Sequence, residues 1–302
     1  MAKLPEARIV VFGYSEVGYR CLGLLLERGA DVVGVYTHED DPTEQRWFGS
    51  VAELARKHEI PVHVFEDARD PALLASLRSL RPDLIFSFYY RHMLPTAVLE
   101  TARLGAFNMH GSLLPKYRGR APVNWAVLHG ETETGATLHH MVARADAGDM
   151  VDQEAVPIAP DETAAEVSVH VAEAAVRVLD RQLEALCAGR APRIPQDESK
   201  ASKFGRRRPE DGRIDWKRGA REIVNLVRAV SRPFPGAFTS SSSGAVLIWR
   251  ARPSRGQGAP GTVVGADPLV VACGDGAVEI LEWTQAGDAE TCRPPQLGER
   301  LG

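Results

Sequence analysis

Cysteine is scarce in this chain: four residues in 302, at Cys21, Cys187, Cys273 and Cys292. None forms a C-x-x-C pair, which argues against a zinc site or a disulfide framework and predicts free thiols in a reducing compartment. No stretch approaches the roughly 18 consecutive apolar residues of a membrane-spanning helix. The opening MAKLPEARIVVFGYSEVG has no apolar core of signal-peptide length before Glu16. A strong charge of one sign is missing too. Lys and Arg number 36 against 40 Asp and Glu, a formal net charge of -4. No overall field therefore draws the chain to nucleic acid or to an anionic membrane, and any polyanion must meet a local patch. Internal repeats are absent, and the one low-complexity run, Ser240–Ser243, reads as a loop tip. What remains is ordinary globular composition, 44% hydrophobic and 25% charged. At roughly 100–200 residues per domain the length suggests two domains, and the expected setting is the cytoplasm.

The first half alternates between strand and helix patterns. Strands are predicted at Ile9–Phe12, Asp31–Tyr36, Pro61–Phe65, Leu84–Phe88, Ala106–Met109 and Ala136–Val142. Helices are predicted over Leu22–Arg28, Val51–His58, Pro71–Leu80 and, with Leu and Val on one stripe, Glu162–Ala188. Such alternation implies a parallel sheet covered by helices, an α/β fold of Rossmann-like type. From Arg190 to Gly212 the texture turns to Pro, Arg, Lys, Ser and Asp, the composition of a linker. A helix at Arg218–Ser231 follows. Short strands come next, at Ala245–Arg250, Gly261–Val264, Leu269–Cys273 and Ala277–Trp283, which suggest a small β-barrel. The expected domains are residues 1–190 and 213–302, joined by 191–212.

Gly13-Tyr14-Ser15-Glu16-Val17-Gly18 nearly matches a dinucleotide fingerprint, with Glu39–Asp41 about where a ribose-binding acid would lie. Ser15 replaces the glycine that lets backbone approach a pyrophosphate, so the stretch reads as a tight strand-to-helix turn. Asn108 and His110 carry more information. On a strand, positions i and i+2 point to one face, so an amide donor and an imidazole proton shuttle can meet at a sheet's carboxyl end. The plainer reading of an N-x-H is a histidine satisfied in a turn. Asp146, in RADAGDM, can orient a histidine and raise its pKa, with Asp149 and Asp152 as nearby rivals. His139 and His140 are adjacent, so one is expected to face solvent. Lys116, Arg118 and Arg120 are either a solvated loop face or the positive rim of a site for an anionic ligand. Arg206, Arg207 and Arg208 form a second basic cluster.

Taken together, FNMHGSLLPKYRGRAP, NWAVLHGETETGATLHHMVARADAGDMV, FSFYYRHMLP and FGRRRPEDGRIDW resemble the formyltransferases that use 10-formyltetrahydrofolate. The resemblance extends to RAVSRPFPGAF and ACGDGAVEI in the second half. It implies a Rossmann-like catalytic domain followed by a small barrel of OB-like type. It implies that Asn108 stabilises the transition state, that His110 transfers protons and that Asp146 raises the pKa of His110. The folate donor would lie against His92, Met93 and Leu94, against Arg120, and against Val142, Ala143, Arg144, Ala145 and Asp146. Lys116, Tyr117, Arg118 and Arg206 would meet the acceptor. No metal is implied.

Within the superfamily the likeness is to members that formylate UDP-4-amino-4-deoxy-L-arabinose for lipid A modification, a route to resistance against cationic peptides. The alternatives are another nucleotide-linked amino sugar or methionyl-tRNA, and the acidic chain argues against a nucleic acid partner. A small-molecule sugar nucleotide and no stable membrane association are therefore expected, with the oligomeric state open. The bifunctional member continues into a nicotinamide-dependent decarboxylase that the residues up to Gly302 do not contain. A separate partner polypeptide and an excised domain both stay open.

Overall fold

The computed structural model describes residues 3–39, 47–285 and 293–302. Asp40 and Asp41 of the acidic stretch, and Cys292, lie outside them. In chain order the elements begin β1 (Arg8–Gly13), α1 (Ser15–Glu27), β2 (Asp31–Thr37), α2 (Val51–Lys57), β3 (Val62–Val64), α3 (Pro71–Leu80) and β4 (Leu84–Phe88). They continue with α4 (Thr96–Leu99), β5 (Gly105–His110), β6 (Arg118–Gly119), α5 (Pro122–Leu128), β7 (Glu133–His140), β8 (Met150–Pro157) and α6 (Ala164–Cys187). The last are β9 (Lys203–Phe204), α7 (Ala220–Val230), β10 (Ala237–Ser241), β11 (Gly244–Ser254), β12 (Val263–Ala266), β13 (Leu269–Cys273) and β14 (Gly276–Gln285). The chain divides into two compact units: Met1–Pro122, Thr134–Pro157 and Val169–Phe204 form the first, and Val123–Glu133, Ile158–Ser168 and Gly205–Gly302 the second.

The first unit is built on a sheet of order β3-β2-β1-β4-β5-β7-β8. Its first five strands pair in parallel, while β7 runs antiparallel to β5. The alternation implied a parallel sheet, and the sheet is mostly parallel, with one difference. No helix separates β7 from β8, and β7 pairs antiparallel at the end of the parallel set. Its direction sets which β7 residue stands opposite Asn108. Ile9 to Phe12 are wholly buried, as a central strand covered on both faces requires. Val10, Phe12, Tyr36 and Ile85 close over Leu73 and Leu77 of α3 and Val98 of α4. Each such side chain contributes roughly 1.5–3 kcal/mol relative to exposure, so the centre of the sheet is the part least able to open.

Helix starts follow local chemistry. The Ser50 hydroxyl accepts the Glu53 N–H at 3.2 Å, and the Asp70 carboxylate accepts that of Ala72 at 2.8 Å with Pro71 opening α3. α1 begins seven residues earlier than its apolar run suggests. Ser15 opens it from within the glycine motif, so the strand-to-helix turn is shorter than the spacing of glycines implies.

The second unit holds a five-stranded antiparallel sheet of order β10-β11-β14-β13-β12, with α7 packed on β11. Strand β11 runs two register shifts beside Arg250, which bend it. Arg228 of α7 is buried, and its guanidinium donates to the carbonyls of Glu162 and Ala159 and to the Asn225 amide oxygen. Thr163 and Glu166 cap the start of α6 reciprocally. The three described cysteines are free and buried. Among the described residues no helix is long and apolar enough to cross a membrane.

Candidate active site

The site lies at the end of β5, at the carboxyl edge of the parallel strands, one strand from the point where the winding of the sheet reverses between β1 and β4. β5 ends on Asn108, Met109 and His110, and places the amide and the imidazole on one face. Antiparallel pairing then sets His139 of β7 directly opposite Asn108. Asp146 approaches from the loop after β7 with a left-handed φ of 54°. Its Oδ1 is 3.6 Å from His110 Nδ1, 3.6 Å from His139 Nε2 and 3.5 Å from Asn108 Nδ2. Its Oδ2 accepts the Gly119 N–H at 2.8 Å. One carboxylate thus touches every other polar member of the group. Burial alone would raise its pKa. The charge of His110, then His139, and the Gly119 amide outweigh that and hold the carboxyl well below the usual carboxylate range.

The remaining contacts fix the rings. His110 is 5% exposed, and its Nε2–H donates to the Tyr117 carbonyl at 2.8 Å, which leaves Nδ1 turned to Asp146. His139 is 2% exposed and its Nδ1–H donates to the His140 carbonyl at 2.9 Å. The Nε2 lone pair is then free to accept the Asn108 amide N–H at 3.1 Å. Sequence reasoning placed one of His139 and His140 in solvent, but both are buried. His140 packs its ring on Phe107 and donates to the Pro192 carbonyl. Adjacent residues do take opposite faces, and here both faces of the sheet are covered.

The loop from Gly111 to Arg120 is stitched from three sides. Thr137 Oγ1 donates to the Ser112 carbonyl and accepts from the Leu114 N–H and from Gln153 of β8. β6 pairs in parallel with β9, and the Tyr117 ring stacks on Phe204. Gly119 has a φ of 103°, and a Cβ there would stand 2.2 Å from the Phe204 carbonyl oxygen, so only glycine lets this N–H reach Asp146. Residues 191–204, of linker composition, belong to the first unit and form a wall of the site. Gln196 Nε2 donates to the carbonyls of Asp146 at 2.8 Å and Gly148 at 2.7 Å. Gln196→Ala would leave those two carbonyls without a donor, a loss of about 1–3 kcal/mol. The expected result is a melting temperature lower by a few degrees and turnover lower by roughly tenfold, read from thermal unfolding and initial rates.

The other residues singled out in the sequence fall in several places. Arg118 is 5% exposed, and its guanidinium is taken by Gln196 Oε1 and by both carboxylate oxygens of Glu198. These contacts brace the loop. Tyr117 is buried, Lys116 is exposed, and Arg120 donates to the Arg91 carbonyl at 2.6 Å. His92, Met93 and Leu94 follow β4. Met93 is exposed, Leu94 is buried in the core beside α3 and α4, and His92 meets His38 and Tyr90 edge-on. Burial, with the charges of His92 and Arg91 behind it, lowers the His38 pKa to about 4. Val142, Ala143 and Arg144 are exposed and Ala145 is half-buried, with Arg144 paired to Glu198. Arg206 is exposed in the second unit, where Arg207 lies over the Trp125 ring. The rivals of Asp146 are engaged elsewhere, Asp149 with Arg193 and Asp152 with Arg181. Among the described residues no group of three His, Cys, Asp or Glu could hold a metal ion.

A neutral amide donor, an imidazole and a buried carboxylate meeting on one sheet edge are the parts that acyl or proton transfer requires. Residues 7–183 match the formyl transferase family and residues 206–293 the formyl transferase C-terminal domain, and the chain belongs to this family. Solved structures with the same fold include an N-formyltransferase from Helicobacter canadensis in complex with folinic acid and dTDP-3-aminofucose. It is 21% identical over 94% of this chain and 100% of its own, with a TM-score of 0.73. WlaRD, a sugar 3-N-formyltransferase solved with dTDP and 5-N-formyl-THF, is 19% identical over 91% of this chain and 97% of its own, with a TM-score of 0.72. A variant of HypX from Aquifex aeolicus is 22% identical over 93% of this chain, with a TM-score of 0.66; the chain spans only 45% of its length.

Proposed function

We propose that this chain transfers the formyl group from N10 of 10-formyltetrahydrofolate to the 4-amino group of UDP-4-amino-4-deoxy-L-arabinose, a step of lipid A modification. The observation that carries the reading is the convergence of Asn108, His110 and Asp146 at the carboxyl edge of the sheet. Attack of an amine on a formyl carbon passes through a tetrahedral intermediate whose oxygen gains negative charge. One N–H of Asn108 is given to His139. The other makes only a 3.5 Å contact with Asp146, and it is the one left to meet that oxygen. His110 takes the proton that the amine sheds and returns it to the departing N10. The Nε2–H of His110 is held by the Tyr117 carbonyl, which leaves Nδ1 as the ring nitrogen with a lone pair to take a proton. Asp146 holds the ring and stabilises the imidazolium in between. The exposed Lys116 suits a diphosphate.

An amino-sugar nucleotide is favoured by the solved relatives, two of which were crystallised with dTDP or a dTDP-amino sugar. A tRNA would require contacts over many phosphates, for which a chain of net charge -4 is poorly suited. The test is a competition. With 10-formyltetrahydrofolate supplied, equal amounts of UDP-4-amino-4-deoxy-L-arabinose, a dTDP-linked amino sugar and methionyl-tRNA are offered and the products separated. Formylated UDP-amino-arabinose should predominate. Predominance of the dTDP sugar would replace the named acceptor, and formyl-Met-tRNA would overturn the sugar reading altogether.

A further inference from the structure

The side-chain amide of Asn108 has two unlike ends of similar size, and only the NH₂ end can stabilise an oxyanion. Turned end for end, it would offer a carbonyl where the reaction needs an N–H. Its two neighbours decide between these orientations. The His140 carbonyl can only accept, so the His139 proton sits on Nδ1, 2.9 Å from that oxygen, and Nε2 keeps its lone pair. This lone pair stands 3.1 Å from Asn108 Nδ2. The second neighbour is an acceptor as well: Asp146 Oδ1 lies 3.5 Å from the same Nδ2. A reversed amide would set its carbonyl oxygen against a lone pair and a carboxylate, a repulsion that exclusion of water strengthens. At 3.5 Å the Asp146 contact is at the limit of a hydrogen bond, so the shorter contact to His139 governs.

The carbonyl that sets this tautomer is itself fixed. The His140 N–H donates to the Asp149 carbonyl at 2.8 Å. A Cβ on Gly148 would stand 1.9 Å from the His140 oxygen, so a side chain at 148 would displace the group that Nδ1–H meets. His140 shows what a purely structural histidine does on this strand: its ring packs on Phe107 and its partner is the Pro192 carbonyl. His139, 2% exposed, instead spends one nitrogen on backbone and the other on Asn108. We propose that His139 is a positioning residue for formyl transfer, whose Nε2 lone pair orients the Asn108 amide so that an N–H, and not the carbonyl, is left for the developing oxyanion. This rests on the formyl-transfer reading above and adds the residue that aims its oxyanion donor.

The test is a double-mutant cycle of His139→Phe with Asn108→Ala, assayed with 10-formyltetrahydrofolate and UDP-4-amino-4-deoxy-L-arabinose. Alone, His139→Phe should lower kcat roughly tenfold or more, because the oxyanion donor is no longer held in place. The KM of each substrate should change by less than about twofold, since the lost interaction belongs to the transition state. With Asn108 already replaced by alanine, the same substitution should cost less than about twofold, because His139 then has no amide to orient. His139→Gln, whose amide oxygen can accept where Nε2 did, should recover most of the lost kcat. His139→Leu is carried through the same cycle, so the answer does not hang on one variant folding, and thermal melts accompany each. An additive cycle, with His139 equally costly to replace in both backgrounds, overturns the proposal and leaves the function standing. A loss carried wholly in KM does the same. Failure of wild type to formylate any amine overturns both.

Discussion

His110→Ala should lower turnover by roughly 10²–10⁴, the usual worth of a positioned proton shuttle, with the KM of each substrate changed by no more than a few-fold. The imidazole is enclosed at the end of β5, between the Tyr117 carbonyl on Nε2 and Asp146 beside Nδ1. Among the described residues no other group within reach of both duplicates it. His139 is the nearest ring, but its Nδ1–H is given to the His140 carbonyl and its Nε2 accepts the Asn108 amide N–H. Removing the ring leaves space beside polar groups that water can enter, so the fold should persist. Steady-state rates with the amine acceptor, beside a thermal melt, decide the matter. Near wild-type turnover from a folded variant would show that the proton leaves by another route.

Asp146→Asn should be nearly as severe, with turnover down by about 10² or more. The carboxylate is the common neighbour of His110, His139, Asn108 and the Gly119 N–H. An amide can still accept from Gly119, but it cannot stabilise an imidazolium. The same substitution has a signature in stability. The folded carboxyl is held below its ordinary value, so the unfolded chain binds this proton more readily than the native one. Its contribution is complete above the unfolded pKa of about 3.9 and is lost as the pH falls through the folded value. At pH 7 the variant should therefore be the less stable protein, and the gap should narrow as the pH drops below about 4. Urea midpoints for both proteins between pH 2 and 7 measure this. A gap independent of pH would mean that the charge of Asp146 is not its source.

How much of this was legible depended on range along the chain. The N-x-H spacing puts Asn108 and His110 on one face because strand period is local, and Asp146 stands out by its place after a strand. His139 escaped because its role arises from pairing, not from its own neighbourhood. Only when β7 is known to run antiparallel to β5 does it land opposite Asn108. Reading β7 as one more parallel strand removed that signal. Arg118 looked like one of three equivalent cations, and nothing local announces that Gln196 and Glu198, about 80 residues away, bury and saturate it. Gln196 and Ser202 sit in a stretch whose composition is that of a connector. Their partners lie in remote loops, and no periodicity records such contacts.

Gln196 has a consequence for how the chain can be made and cut. A fragment ending at residue 190 would keep every strand of the seven-stranded sheet and the whole of α6. It would lack Gln196, Glu198, Ser202 and Phe204, so the Arg118 guanidinium would lose its partners, the Asp146 loop its tether and the Tyr117 ring its stacking surface. During synthesis the same dependence is one of timing. Asn108, His110 and Asp146 leave the ribosome early, but the segment that brackets them arrives only after α6. At an elongation rate of about 5–20 residues per second, the nascent sheet spends seconds as a folded platform without a finished catalytic edge.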